Sequence, residues 1–298
     1  MSLPRPVVPG QTVLITRRCS ERRFFLLPAA LVNQILLYCL AVAAERYGIL
    51  VHAVCFMSNH WHVVLTDAFG NRPEFCRWFH EFTAKCLNVM YGRWENVWAT
   101  EPTSVVTLVG DQAQLEKTVY TLCNPVEAGL VDRGDKWPGV RSSVSVPGED
   151  IVVKRPKLYF SQNGPLPEQA TLRLHKLPAL AHLSDAVYVK RVTAAVDERE
   201  VALRAQLRAE GRSFMGARAV CKQSPFDRPK THEPRREMSP RVACRNKWAR
   251  IEALGRLKAF VESYRDAWLR YRDGQREALF PHGTYWLRVH AGVTCVPG

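Results

Sequence analysis

The chain lacks any apolar run of the ~18–20 residues that a membrane span needs. Its longest such stretch, residues 29–44, is broken by Asn33 and Gln34 and reads as a core helix. The opening MSLPRPVVPG has no apolar centre of the signal-peptide kind, so a cytoplasmic protein with no membrane partner is expected. No C-x-x-C pair occurs among nine cysteines, which are odd in number and set among apolar neighbours. That pattern speaks against a zinc ribbon or a disulfide framework and for reduced, mostly buried thiols. There is no Walker-type phosphate loop and no internal repeat. The first half also lacks net charge: residues 1–150 hold 14 basic and 14 acidic side chains, and residues 151–298 hold 28 and 14, so the whole excess of +14 lies in the second half. A block this basic points to a polyanion, most often nucleic acid. An arginine-rich but merely soluble region is the other reading.

Against these absences stands one informative stretch, residues 51–66, VHAVCFMSNHWHVVLT. Two β-branched and aromatic runs flank Ser58-Asn59, as in a hairpin. Alternate side chains of a strand share a face, so His60 and His62 point the same way across a gap of roughly 6.5–7 Å. Two neutral imidazoles so placed can hold one divalent ion. They can equally be two half-buried polar residues satisfied by neighbours. His52 is out of register with the pair, and His80 is expected on a helix surface beside Glu81.

Around the hairpin, strands are expected at residues 11–16, 51–57, 60–66 and 103–109. Helices are expected from Ala29 to Tyr47, from Asn71 to Tyr91 with Arg72 on its polar face, and from Asp111 to Cys123. The last should stop at Asn124, because a residue before proline avoids the α region. The order β-α-β-β-α-β, then α, gives an α+β fold: a ferredoxin-like antiparallel sheet with helices on one face. Residues 1–145 form this domain. Residues 146–183 read as a linker with one strand-like piece, Leu158–Phe160, and residues 184–298 as a basic helical accessory domain for DNA. Within it, Ser184 caps a helix to Gly211, residues 216–246 promise little regular structure, and Asn246 or Lys247 opens a helix to Asp273.

A second motif follows the His pair by about sixty positions: Tyr120-Thr-Leu-Cys-Asn124-Pro125-Val-Glu-Ala128-Gly129, running on to Trp137-Pro138 and Arg141-Ser142-Ser143. His60-Trp61-His62 within FMSNHWHVVL resembles the metal motif of the HUH nucleases, and the two motifs in this order resemble the single-tyrosine HUH transposases, including REP-associated tyrosine transposases. The resemblance covers residues 8–145. It implies the HUH nuclease fold and a nucleoid-associated bacterial enzyme. Such an enzyme cuts and rejoins single-stranded DNA at hairpin or palindromic sites through a 5′-phosphotyrosine. Tyr120 would be the nucleophile, His60 and His62 would hold Mg²⁺ or Mn²⁺, and a polar third ligand is implied near the tyrosine. Asn124, one turn on at i+4, is the candidate, with a plain role ending the helix before Pro125 as its rival. Arg17, Arg18, Arg22 and Arg23 are candidates to hold phosphates, and Trp61, Trp94 and Trp98 to stack bases, core packing being the alternative for each tryptophan. A homodimer is open. The alternative function is a domesticated, non-cleaving DNA- or RNA-binding protein with the same fold.

Overall fold

The computed structural model describes residues 4–143, 150–161, 163–231 and 240–298. Period-2 apolar runs give strands β1 (Gln11–Arg18), β2 (Ile49–Phe56), β3 (His60–Asp67) and β4 (Ser104–Leu108), and period-3.6 segments give helices α1 (Ala30–Tyr47), α2 (Arg72–Tyr91) and α3 (Asp111–Glu127). The first four strands are antiparallel in the order β2-β3-β1-β4, and β7 (Val242–Ala243) adds a parallel edge beside β4. This is a mixed α+β architecture with a five-stranded, mostly antiparallel sheet.

Alternation along the strands gives the sheet two apolar faces. Val13, Ile15, Trp61, Val63 and Leu65 point to α1 and α2, while Leu14, Val64 and Val106 point to α3. Helices therefore cover both faces, not one. The reason lies in α3, whose Val119, Leu122, Cys123 and Val126 form a stripe that only the second face can bury. Helix α4 (Asp185–Ala209), capped by the Ser184 hydroxyl as expected, packs on α3 and adds Tyr188, Val192, Val196 and Leu203 to the same core. Asp67, fully buried, starts α2 by accepting the backbone N–H groups of Asn71 (2.8 Å) and Arg72 (3.0 Å).

Three local expectations are corrected. Helix α3 runs through Asn124 and Pro125 to Glu127, because Asn124, Pro125 and Val126 are all buried and packing outweighs the pre-proline preference. The helix ends only where Gly129 takes φ +71°, a conformation open to glycine. The stretch read as a linker holds a hairpin of β5 (Asp150–Lys154) and β6 (Gln169–Arg173), which lays Val153, Ala170 and Leu172 against the α1 core. Leu158–Phe160 is a turn there, with Phe160 buried against Tyr38. The stretch 216–246 contains a short α5 (Ala217–Cys221) and strand β7, before α6 (Lys247–Arg272) begins at its Asn246 cap. The boundary expected at 145/146 lies outside the described residues. A last helix, α7 (Trp286–Ala291), follows a loop whose Phe280, Thr284 and Tyr285 are buried. No helix among the described residues is long and apolar enough to cross a membrane.

Candidate active site

The turn between β2 and β3 is held from several sides. Met57 N–H donates to the His60 carbonyl, Leu26 N–H to that of Ser58 and Cys19 N–H to that of Asn59. The Asn59 amide donates to the Arg22 carbonyl (3.2 Å) while its Oδ1 meets His60 Nδ1 at 2.7 Å. A fixed turn fixes the strand register, and so the face that carries the histidines.

His60 and His62 stand edge to face, ring centroids 4.8 Å apart, on the α3 side of the sheet. His62 Nδ1 is hydrogen-bonded to the Thr16 hydroxyl on β1 at 2.8 Å. Its Nε2 is buried and has no hydrogen-bond partner among the described residues. Burial, then the nearby His60, Arg18 and Lys117, push its pKa well below the usual imidazole value. His62 is thus neutral at pH 7, the form in which imidazole binds metals. An orphaned, buried ring nitrogen beside a second imidazole fits a divalent ion. Among the described residues, no group of three or more His, Cys, Asp or Glu gathers anywhere, so a third protein ligand here would have to be of another type.

Helix α3 brings Tyr120 over this pair, its ring 5.2 Å from that of His62 and nearly perpendicular to it. Lys117, one turn earlier, sets its ammonium 5.4 Å from the Tyr120 ring centroid. Sequence reading passed over Lys117 and Thr16. The signal for Lys117 was its i−3 spacing from the tyrosine, and for Thr16 its place opposite His62 on β1. Asn124 lies one turn past Tyr120, buried, its carbonyl accepting the Ala128 N–H at 3.0 Å.

The downstream half of the second motif anchors α3. Trp137 Nε1 donates to the Phe56 carbonyl (3.0 Å), Arg141 Nε to that of Leu122 (2.7 Å), and the Ser142 hydroxyl accepts Val54 N–H (3.0 Å). These bonds tie the tyrosine helix to the strand beside the histidines.

Two solved structures are similar to parts of the chain. One, a REP-associated tyrosine transposase bound to a REP hairpin, shares 18% identity over 47% of this chain and 81% of its own, with a TM-score of 0.40. The other, a candidate transposase from Deinococcus radiodurans R1, shares 20% identity over 39% of this chain and 94% of its own, with a TM-score of 0.29. Both are described as transposases, the family that the two motifs resemble, and at these scores the likeness carries no argument about chemistry. No family model and no curated protein matches the chain.

The candidate DNA contacts divide by strand parity. Arg18 pairs in register with His60 and lies exposed on the histidine face. Arg17 points the other way, half-buried, donating to Thr103 Oγ1 (3.0 Å) and the Ala99 carbonyl (3.3 Å). Trp61 also points away from the histidines and is fully buried, stacked on Phe56 at 5.4 Å, so it has no face left for a base and serves the core. Trp98 is buried with Nε1 on the His80 carbonyl, whereas Trp94 is exposed. Arg22 donates to the Thr231 carbonyl (2.7 Å), and Arg23 pairs with Glu21 (2.8 Å). His80, expected at the surface, is buried among Trp61, Phe79 and Trp98, because α2 turns that position to the sheet. His52 is buried at a register shift in β2, between the Thr66 hydroxyl and the His175 carbonyl.

Proposed function

We propose that the chain is a DNA strand-transfer enzyme of the single-tyrosine HUH transposase type. The observation that carries the reading is the meeting of Tyr120 with His60 and His62 on one face, from elements sixty positions apart. The strand order β2-β3-β1-β4 with crossover helices α1 and α2 supports the ferredoxin-like form of that fold.

His60 and His62 would hold Mg²⁺ or Mn²⁺, with the Asn124 amide as the candidate third ligand. A bound divalent ion supplies Lewis-acid polarisation of a phosphate oxygen. The chain's own residues do the rest. The Tyr120 hydroxyl attacks phosphorus in a DNA backbone, the bond from phosphorus to the 3′ oxygen breaks, and the phenol proton leaves as the 3′ oxygen gains one. The products are a 5′-phosphotyrosine and a free 3′-hydroxyl, and reversal by another 3′-hydroxyl joins strands without ATP. Only about one phenol in a thousand is ionised at neutral pH, so the Lys117 ammonium beside Tyr120 favours the developing phenolate. Arg18, across from His60, would hold the scissile phosphate. The substrate is single-stranded DNA at hairpin or palindromic sites, and the basic second half adds backbone affinity.

The test is a labelled single strand carrying a hairpin. The native protein yields a detergent-resistant adduct on the 5′ end of one fragment, and Tyr120→Phe, which keeps the ring, yields none. Peptide mapping to another tyrosine refutes the residue. Cleavage without an adduct refutes the mechanism, and binding without cleavage gives the non-cleaving alternative.

A further inference from the structure

The face of the sheet that carries neither the histidines nor Tyr120 has a large cavity of its own. It encloses about 1070 Å³ between β1, α2 and β4 on one side and α6, Thr284, Tyr285 and the start of α7 on the other. A second cavity of about 400 Å³ adjoins it and shares Arg5, Arg72 and Arg241. The volume is of the order of cavities that bury drug-sized ligands, roughly 300–1,000 Å³.

Its charge is the unusual part. Arg5, Arg17, Arg72 and Arg241 all line it, and no ion pair among the described residues neutralises any of the four. The carboxylates of the region have other partners as well: Asp67, whose charge favours the charged form of Arg72, holds two backbone N–H groups, Glu74 pairs with Arg77 at 2.7 Å, and Glu252 pairs with Arg256. Arg72 is only 5% exposed, and Arg17 Nε, Arg241 Nη1 and His80 Nε2 are buried without a hydrogen-bond partner among the described residues. Arg5, Arg72 and Arg241 line both cavities together, and burial, then Arg241 and Arg72, lowers the pKa of Arg5. Buried charge and unpaired donors are costly unless something completes them. An anion in the cavity would do so, and guanidinium forks match phosphate.

A small oxyanion would leave most of this space empty. The opposite wall is aromatic, with Phe260, Tyr264, Trp268 and Trp286 from α6 and α7. Arginines facing aromatic rings are the combination that holds an unstacked nucleotide, phosphate on the cations and base on a ring.

We propose that this cavity is a second nucleic-acid site, which takes one or two unpaired nucleotides with phosphate on Arg5, Arg17, Arg72 and Arg241 and base against Trp268 or Trp286. It goes beyond the strand-transfer reading and stands without it, since a protein that never cleaved would keep the cavity. Arg17 and Arg18 are consecutive on β1 and point to opposite faces, so one strand serves both sites.

The probe is the 5′-phosphorylated dithymidylate pdTpdT, titrated into the full chain by tryptophan fluorescence, with inorganic phosphate, thymidine 5′-monophosphate and a ten-residue oligothymidylate in parallel. The expected result is saturable binding of pdTpdT that weakens at least tenfold in Arg241→Gln and in Trp268→Ala and is unchanged in Tyr120→Phe and His62→Ala. Thermal melting checks the variants, and Arg5→Gln replaces Arg241→Gln if that protein does not fold. The oligothymidylate should bind at least as tightly as the dinucleotide. Inorganic phosphate equal to pdTpdT would reduce the cavity to an oxyanion site and overturn the proposal. So would a mononucleotide that binds tighter than the strand, which would mark a free-nucleotide pocket. Dinucleotide binding lost in His62→Ala but kept in Arg241→Gln would place the ligand on the tyrosine face and overturn it too. In each case the Tyr120 adduct assay reads the strand-transfer proposal separately.

Discussion

Thr16→Val is the sharpest probe of the histidine pair. Valine matches threonine in shape and replaces only the hydroxyl that meets His62 Nδ1 at 2.8 Å. In the metal-binding tautomer Nδ1 carries the proton and donates to that hydroxyl, which leaves the buried Nε2 a lone pair to offer. Without the hydroxyl the ring loses its only hydrogen bond among the described residues, and nothing fixes which nitrogen is protonated. Loss of such a supporting partner costs about 10–100-fold in metal affinity or activity, or ~1.4–2.8 kcal/mol at tenfold per 1.4 kcal/mol. The orphaned N–H also costs the fold about 1–3 kcal/mol. Calorimetric titration of Mn²⁺ into the native protein, Thr16→Val and Thr16→Ser measures the first effect, and denaturant unfolding the second. Serine restores the hydroxyl and should recover most of the affinity. Thr16→Val with native Mn²⁺ affinity and native strand cleavage would refute the assignment of His62 as a ligand held by its Nδ1 bond. Loss in the serine variant as deep as in valine would trace the effect to packing.

Other outcomes follow from the same structure. Leu203→Ala on α4 should destabilise the protein by about 2–5 kcal/mol, since Leu203 is 2% exposed in the core shared with α3; a change under ~0.5 kcal/mol in urea unfolding would show that α4 is not part of that core. Acid should unfold the chain early. His52, its pKa lowered from 6.5 to about 4 by burial, is kept neutral in the fold, and His62 and His80 shift the same way. Their folded pKa values lie below the unfolded ones, so the stability they allow is complete above pH ~6.5 and falls as the pH drops toward ~4. A melting temperature flat from pH 7 to 4.5 would contradict this. Binding of a hairpin strand should weaken linearly in the logarithm of salt concentration, and a slope near zero would remove the basic half from the interface.

The sequence showed most where period and motif coincide. β1 to β4 and α1 to α3 were readable because their apolar residues repeat at 2.0 or 3.6 and Gly48 and Gly92 end two helices. His60, His62 and Tyr120 were singled out by the resemblance of the two motifs to a known family, since residue type and spacing alone left each open to a packing role, and the structure brings the three onto one face. Side-chain direction was harder. Arg17 and Arg18 look alike in sequence, yet parity on β1 half-buries one and exposes the other. Trp61 looked available for a base until β3 was seen to turn it inward against Phe56. β5 and β6 were hidden because each alternates only a few apolar residues, Val153, Ala170 and Leu172, between Pro- and Gly-rich turns, and they make sense only against α1, more than a hundred positions earlier. The arginine cavity was invisible for the same reason: its walls come from residues 4 to 286.

The packing of α4 on α3 has a consequence for how the protein is made. The sheet's second face and the apolar stripe of α3 are complete once Glu127 has been synthesised, but the Leu203 that closes over them comes about 75 residues later. At roughly 5–20 residues per second, a ribosome needs about 4–15 s to deliver it. During that interval the nascent chain carries the face with Tyr120 and the histidines open on a bare apolar surface. The α3 face therefore gains its cover only after α4 has emerged, and a message broken between these points yields a product with an exposed apolar half-core.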